Sequence, residues 1–141
     1  MSYETLEAGL QAQIRALDAF SDQQVSLADW TVLAEGHANV AILEYQSFEL
    51  ERESYGQDTR ILWVCRVNLL ARYSDDATGN DILRDRRSEI VAKVLQNPTL
   101  GGTAEDALPA SGNFVVEEIE WGGVSFLSEW IDVQMEEVVS A

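Results

Sequence analysis

One cysteine, one histidine and nine basic residues in 141 restrict the chemistry open to this chain. With Cys65 alone, an intramolecular disulfide is impossible, and a reducing cytoplasm is the expected setting. Cys65 lies in an apolar stretch, where a buried, inert thiol is expected. His37 follows Gly36 at the start of an extended segment, and no second His or Cys stands at metal-ligand spacing from it. No apolar run approaches the ~20 residues of a membrane span, and Met1-Ser2-Tyr3-Glu4 lacks the basic-then-apolar pattern of a secretion signal. There is no GxGxxG motif, and Leu100-Gly101-Gly102-Thr103 lacks the lysine a phosphate loop would use. The acid pairs Glu117-Glu118 and Glu136-Glu137 fall in strand-like segments, where neighbours point to opposite faces and do not converge. No catalytic residue, cofactor or metal is therefore expected.

Scarcity of basic charge is the strongest compositional signal. Twenty-five acids against nine bases give a formal net charge of −16, which argues against binding a nucleic-acid backbone. All nine bases lie at or before Lys93, and Val94 to Ala141 holds nine acids and no base. One reading is a solvated acidic surface that keeps the protein soluble. The other is a polar molecule whose acidic end meets a basic patch on its neighbour.

With 46% hydrophobic and 24% charged residues, the chain has the composition of one globular domain over residues 1–141. Leu6, Leu10, Ile14 and Leu17 recur at helical spacing, with Ser2 as N-cap and the helix ending around Ala19 to Asp22. A connector containing Trp30 and Leu33 leads to an extended segment, Ala38 to Leu50, with Val40, Ile42, Phe48 and Leu50 on one parity. Arg60 to Tyr73 alternates, with Ile61, Trp63, Cys65, Val67, Leu69, Ala71 and Tyr73 on one face. Its other face is half apolar and is expected to be covered in part. The strand exceeds the usual five or six residues, so the hairpin is expected to project as an interaction arm around residues 51–58.

A second helix follows, with Thr78 and Asp81 as a candidate capping box and Ile82, Leu83, Ile90, Val91, Val94 and Leu95 as its apolar positions. Arg86 and Arg87 project toward that same stripe. Either their stems snorkel while the heads find water or a local acid, or these turns face another subunit. Pro98 stops the helix and Gly101-Gly102 turn the chain. A short acidic segment passes Pro109 before the last hairpin, in which Phe114 to Trp121 pairs with Val124 to Val139 across Gly122-Gly123. A bulge near Glu129 is expected, because Trp130 breaks the parity of Leu127, Ile131, Val133 and Met135. The expected fold is α+β, in the order α-β-β-α-β-β, with a mainly antiparallel sheet packed by two helices.

This order, with the segments NPTLGGTAEDA (97–107) and RYSDDATGNDILRDRR (72–87), resembles the tail terminator (tail completion) proteins of long-tailed bacteriophages, the group of the lambda minor tail protein U. The resemblance implies a small protomer that forms a ring, typically a hexamer, on the end of the tail tube. The ring would stop tube polymerisation, present a surface to the head-side connector or stopper protein, and leave a channel through which DNA passes transiently. Residence in the tail-neck region of the virion follows, after assembly in the host cytoplasm. On this view Arg84, Arg86 and Arg87 stand opposite Glu117, Glu120 and Glu129 of the next copy. Glu51, Arg52, Glu53 and Tyr55 form the docking arm, and Thr99 and Leu100 a docking loop. The rival expectations are a head-side neck adaptor or stopper, and an intracellular acidic binding module or small enzyme.

Overall fold

The computed structural model describes residues 2–52, 58–73 and 76–139, apart from the side chains of residues 35, 52, 76–78 and 113–116. Helix α1 (Tyr3–Arg15) opens on Ser2, whose hydroxyl accepts from the Thr5 amide, and Glu4 lies near the positive end of its dipole. The helix ends at Arg15, before the expected Ala19 to Asp22. Beyond the Ala16 cap, tight turns carry the chain on, with the Leu17 and Phe20 amides donating to the Ile14 and Leu17 carbonyls. Phe20 reaches the core from this turn.

Among the described residues, five strands form one sheet in the order β1-β2-β3-β5-β4: β1 (Val25–Leu27), β2 (Asn39–Arg52), β3 (Thr59–Arg72), β4 (Asp106–Trp121) and β5 (Val124–Val139). All pairings are antiparallel except the short β1–β2 contact. The chain is α+β, as its pattern implied, with the three-residue β1 as the added element. Helix α2 (Asp76–Gln96) joins α1 on one face of the sheet. Leu6, Leu10 and Ile14 of α1 and Leu83, Ile90 and Val94 of α2 pack there against Cys65, Val67, Leu69, Val133 and Met135. The opposite face is covered in part, as expected. A 3-10 turn at Trp30–Glu35 lays Val32 and Leu33 over Val40, Ile42, Leu70 and Phe126.

Several local expectations change once the strands pair. A bulge in β2 between Tyr45 and Ser47 inserts Gln46 without a partner. Ala41 and Leu43 therefore face the helices while Val40 and Ile42 face away. Past the bulge the alternation inverts, and Phe48 packs on Trp63 of the helix-side row. The four residues assigned one parity thus divide between the two faces. β5 needs no bulge at Glu129, because its register with β3 is unbroken from Phe126 to Val139. The irregularities lie in β4, at Pro109/Ser111 and Asn113/Glu117. β4 also begins at Asp106, so the acidic stretch around Pro109 is strand. Proline is tolerated there because β4 is an edge. The β2–β3 hairpin does not project alone, since β5 accompanies β3 as far as the Thr59↔Val139 pair.

α2 starts at Asp76, two residues before the expected capping box. The Thr78 side chain lies outside the described residues, and Asp81 pairs with Arg84. Leu95 is 56% exposed and does not join the core line of Leu83, Ile90 and Val94. After α2, the Asn97 amide closes on Lys93, and Leu100, Gly101 and Gly102 take positive φ in succession. At the other end of β4, Gly122 and Gly123 supply the φ > 0 pair that a two-residue hairpin turn requires.

Candidate interaction surfaces

The arginines of α2 find their carboxylates inside the chain. Arg84 pairs with Asp81 at 3.1 Å, on an exposed helix turn where such a pair is worth about 0–1 kcal/mol. Arg86 donates to both oxygens of Glu89, at 2.7 and 2.6 Å, beside Leu17 and Ala19 in the turns that follow α1. Arg87 crosses to β5 and binds Glu129 at 3.0 Å. The Glu129 side chain is 1% exposed, because it occupies the helix-facing row of β5 between Leu127 and Ile131. Burial raises its carboxyl above the usual range, against the pull of Arg87, and its Oε1 has no hydrogen-bond partner.

The placement of Glu129 on a surface facing the next copy is therefore corrected: it is a core carboxylate, and Arg87 is its internal partner. Arg86 likewise follows the local-acid alternative. Of the six residues assigned to a ring contact, only Arg84, Glu117 and Glu120 present exposed side chains. Among the docking residues, Leu100 is 2% exposed and belongs to the main core, which corrects its assignment to a docking loop. Thr99 is exposed beside it. Glu51 is exposed and lies 3.8 Å from Arg60, which also binds Glu136 at 2.8 Å. Glu53 and Tyr55 fall outside the described residues, as does the Arg52 side chain.

Sequence reasoning missed the surface that the fold does present. At the far end of the sheet Tyr45, Phe48 and Leu50 are 47, 53 and 59% exposed. Tyr45 meets Trp63 edge-on and Phe48 packs on it at a tilt, with ring centroids 6.1 and 5.5 Å away, and Tyr3 packs 5.2 Å from Tyr45. The Tyr3 hydroxyl donates to Glu7 at 2.6 Å, and burial is the first cause of its raised pKa. The signal was the Phe48-Glu49-Leu50-Glu51 alternation, whose apolar side was placed on the same parity as Val40 and Ile42. The Gln46 bulge turns it instead toward the helix face, beyond the reach of α1.

On the opposite face a polar row crosses the sheet. Asn68 donates to Glu44 at 2.8 Å and to the Ile42 carbonyl, and the Trp30 indole donates to Glu44 at 3.3 Å. Arg66 binds Asp132 through two nitrogens, at 2.9 and 3.2 Å, and its guanidinium lies 3.7 Å from the Trp130 ring centre. The Asp132 hydrogen bond is the main cause of the raised Arg66 pKa. These contacts are matched donors and acceptors, so the row is a structural brace.

A hollow of about 330 Å³ opens between α2 and edge strand β4, lined by Val91, Pro109, Ala110, Gly112 and Ile131, with Arg87 on its wall. Among the described residues no cluster of three or more metal-ligating side chains occurs, and no helix is long and apolar enough to cross a membrane. Neither the known family models nor the curated proteins contain a match to this chain.

Proposed function

We propose that this chain is a structural protein of a long-tailed bacteriophage that assembles with copies of itself into a ring, expected to be a hexamer, on the end of the tail tube. The ring stops tube polymerisation, offers a joining surface to the head-side connector, and encloses a channel for DNA. The observation that carries the reading is the exposed aromatic end of the sheet. A monomer at work alone in water has no use for Tyr45, Phe48 and Leu50 side by side at about half exposure, whereas an assembly protein covers such a patch on docking. The segment resemblance at 72–87 and 97–107 supplies the kind of assembly. The charge of −16 supports a lumen that repels phosphate and lets DNA slide past.

Tails assembled without this protein are expected to overgrow and to fail to join heads. Tails of normal length in its absence would refute the terminator reading. Copurification with DNA-filled, tailless heads instead of headless tails would favour a neck adaptor.

A further inference from the structure

Two surfaces of the chain complement each other and lie at opposite edges of the sheet. The first is the aromatic end at Tyr45, Phe48 and Leu50, on the part of β2 that β1 leaves uncovered. Close under it are two buried polar atoms without hydrogen-bond partners, Trp63 Nε1 and Glu137 Oε2. Their strands are neighbours, with Trp63 opposite Met135 and Ile61 opposite Glu137, so the two side chains are one register step apart on the helix-facing side. Glu137 is 4% exposed, and a buried carboxylate oxygen with no donor calls for one from outside. Glu7, bonded to the Tyr3 hydroxyl beside Tyr45, brings further negative charge to the border.

The second surface is the hollow between α2 and β4. Its 330 Å³ falls in the ~300–1,000 Å³ range of sites that hold a ligand. Leu95 lies one helical turn beyond Val91 and Arg84 two turns before it, so all three share a face. Leu95 is 56% exposed and the Arg84 side chain 64%. This face carries Leu95, Val91 and Ser88, with Arg84 at one end and Arg87 on the wall of the hollow.

We infer that the Tyr45–Phe48–Leu50 end of one copy seats in the Val91–Pro109–Ile131 hollow of the next, with Arg84 facing the acids around the patch. The inference rests on the self-assembly reading above and names its contact. Patch against patch would set Glu7 against its own copy, and like charges oppose that. Patch against hollow sets it toward Arg84, whose bond to Asp81 is exposed and exchanges readily. The pairing joins two different surfaces, so each copy keeps one of each until a ring closes.

The test is disulfide trapping with Leu50→Cys and Leu95→Cys, both at exposed sites. The native Cys65 is buried and its thiol is pushed up to about 12, mainly by burial, so it stays silent. Oxidised at millimolar concentration, the double variant is expected to give a ladder of linked copies at least tenfold stronger than either single variant. Phe48→Ser in that background is expected to cut the ladder at least tenfold while the variant stays folded by circular dichroism. Dimers as abundant from Leu50→Cys alone would mean patch meets patch and would overturn the inference. An unlinked double variant would overturn it too, while the tail-length experiment decides separately whether the terminator reading stands.

Discussion

Gly9 decides whether the 97–104 loop can dock on α1, and Gly9→Ala tests this directly. An added Cβ would collide with Thr103 Oγ1 and come within 3.0 Å of Thr103 Cβ and 3.2 Å of the Leu100 carbonyl oxygen. Rotating the hydroxyl away forfeits its 3.0 Å bond to the Leu100 carbonyl, about 0.5–1.5 kcal/mol. The Cβ contact remains after that rotation. The loop cannot retreat cheaply, because Leu100 is core-buried and held at φ 50 between an Asn97 bond and two glycines. Overpacking of this kind costs about 1–3 kcal/mol, and alanine returns about 1 kcal/mol of helix propensity. The net expectation is a loss of about 1–3 kcal/mol, or roughly 3–15 °C in melting temperature for a chain of this size. Urea and thermal melts followed by circular dichroism read it. In a Thr103→Gly background, which removes the colliding atoms, Gly9→Ala is expected to be neutral or stabilising by up to ~1 kcal/mol. An unchanged or higher melting temperature for Gly9→Ala alone would refute the close approach.

Two further outcomes follow from the charged pairs. Arg87→Ala strips the partner from a buried carboxylate and is expected to cost about 2–4 kcal/mol, below the ~3–5 kcal/mol of a fully buried pair because Arg87 is a quarter exposed. Since the folded Glu129 pKa is raised, the native state holds its proton longer than the unfolded chain, and this group's contribution falls as pH rises above 4.5. The Arg87→Ala loss is therefore expected to be larger at pH 7 than at pH 4.5, and Glu129→Gln to flatten the slope in urea melts across that range. A pH-independent loss would count against a buried charge. Arg66→Lys keeps the charge but loses the two-pronged bond to Asp132 and the stack on Trp130. The expected cost is about 1 kcal/mol, and no change in the urea midpoint would show that the brace carries little.

What could be read locally was read correctly where one face alone mattered. Ser2 caps α1 because a hydroxyl at that position meets a free amide whatever the rest of the chain does. From Ile61 to Ala71 the odd row of β3 is apolar without interruption, so the burial of Cys65, Val67, Leu69 and Ala71 under the helices was legible. Tyr73, given the same face, lies past the strand and is exposed. Leu95 was misassigned because an apolar residue at the margin of a helical stripe is buried only if a neighbouring element reaches it. Glu129 was misassigned for the converse reason. A carboxylate in an apolar row looks like a break until Arg87, 42 residues away, arrives beside it.

By itself, the residue order determined the class of fold, the two glycine turns, the α1 cap and the unequal spread of charge, because each depends on neighbours a few positions apart. Only the tertiary structure decided which faces are covered and which arginines are already paired. One unpaired residue, Gln46, inverts the parity of the strand after it and sends Phe48 and Leu50 past the end of α1. The exposed Tyr45–Phe48–Leu50 patch exists because that inversion occurs where no other described element covers the sheet. Coverage is a property of long-range packing, and local periodicity carries no information about it.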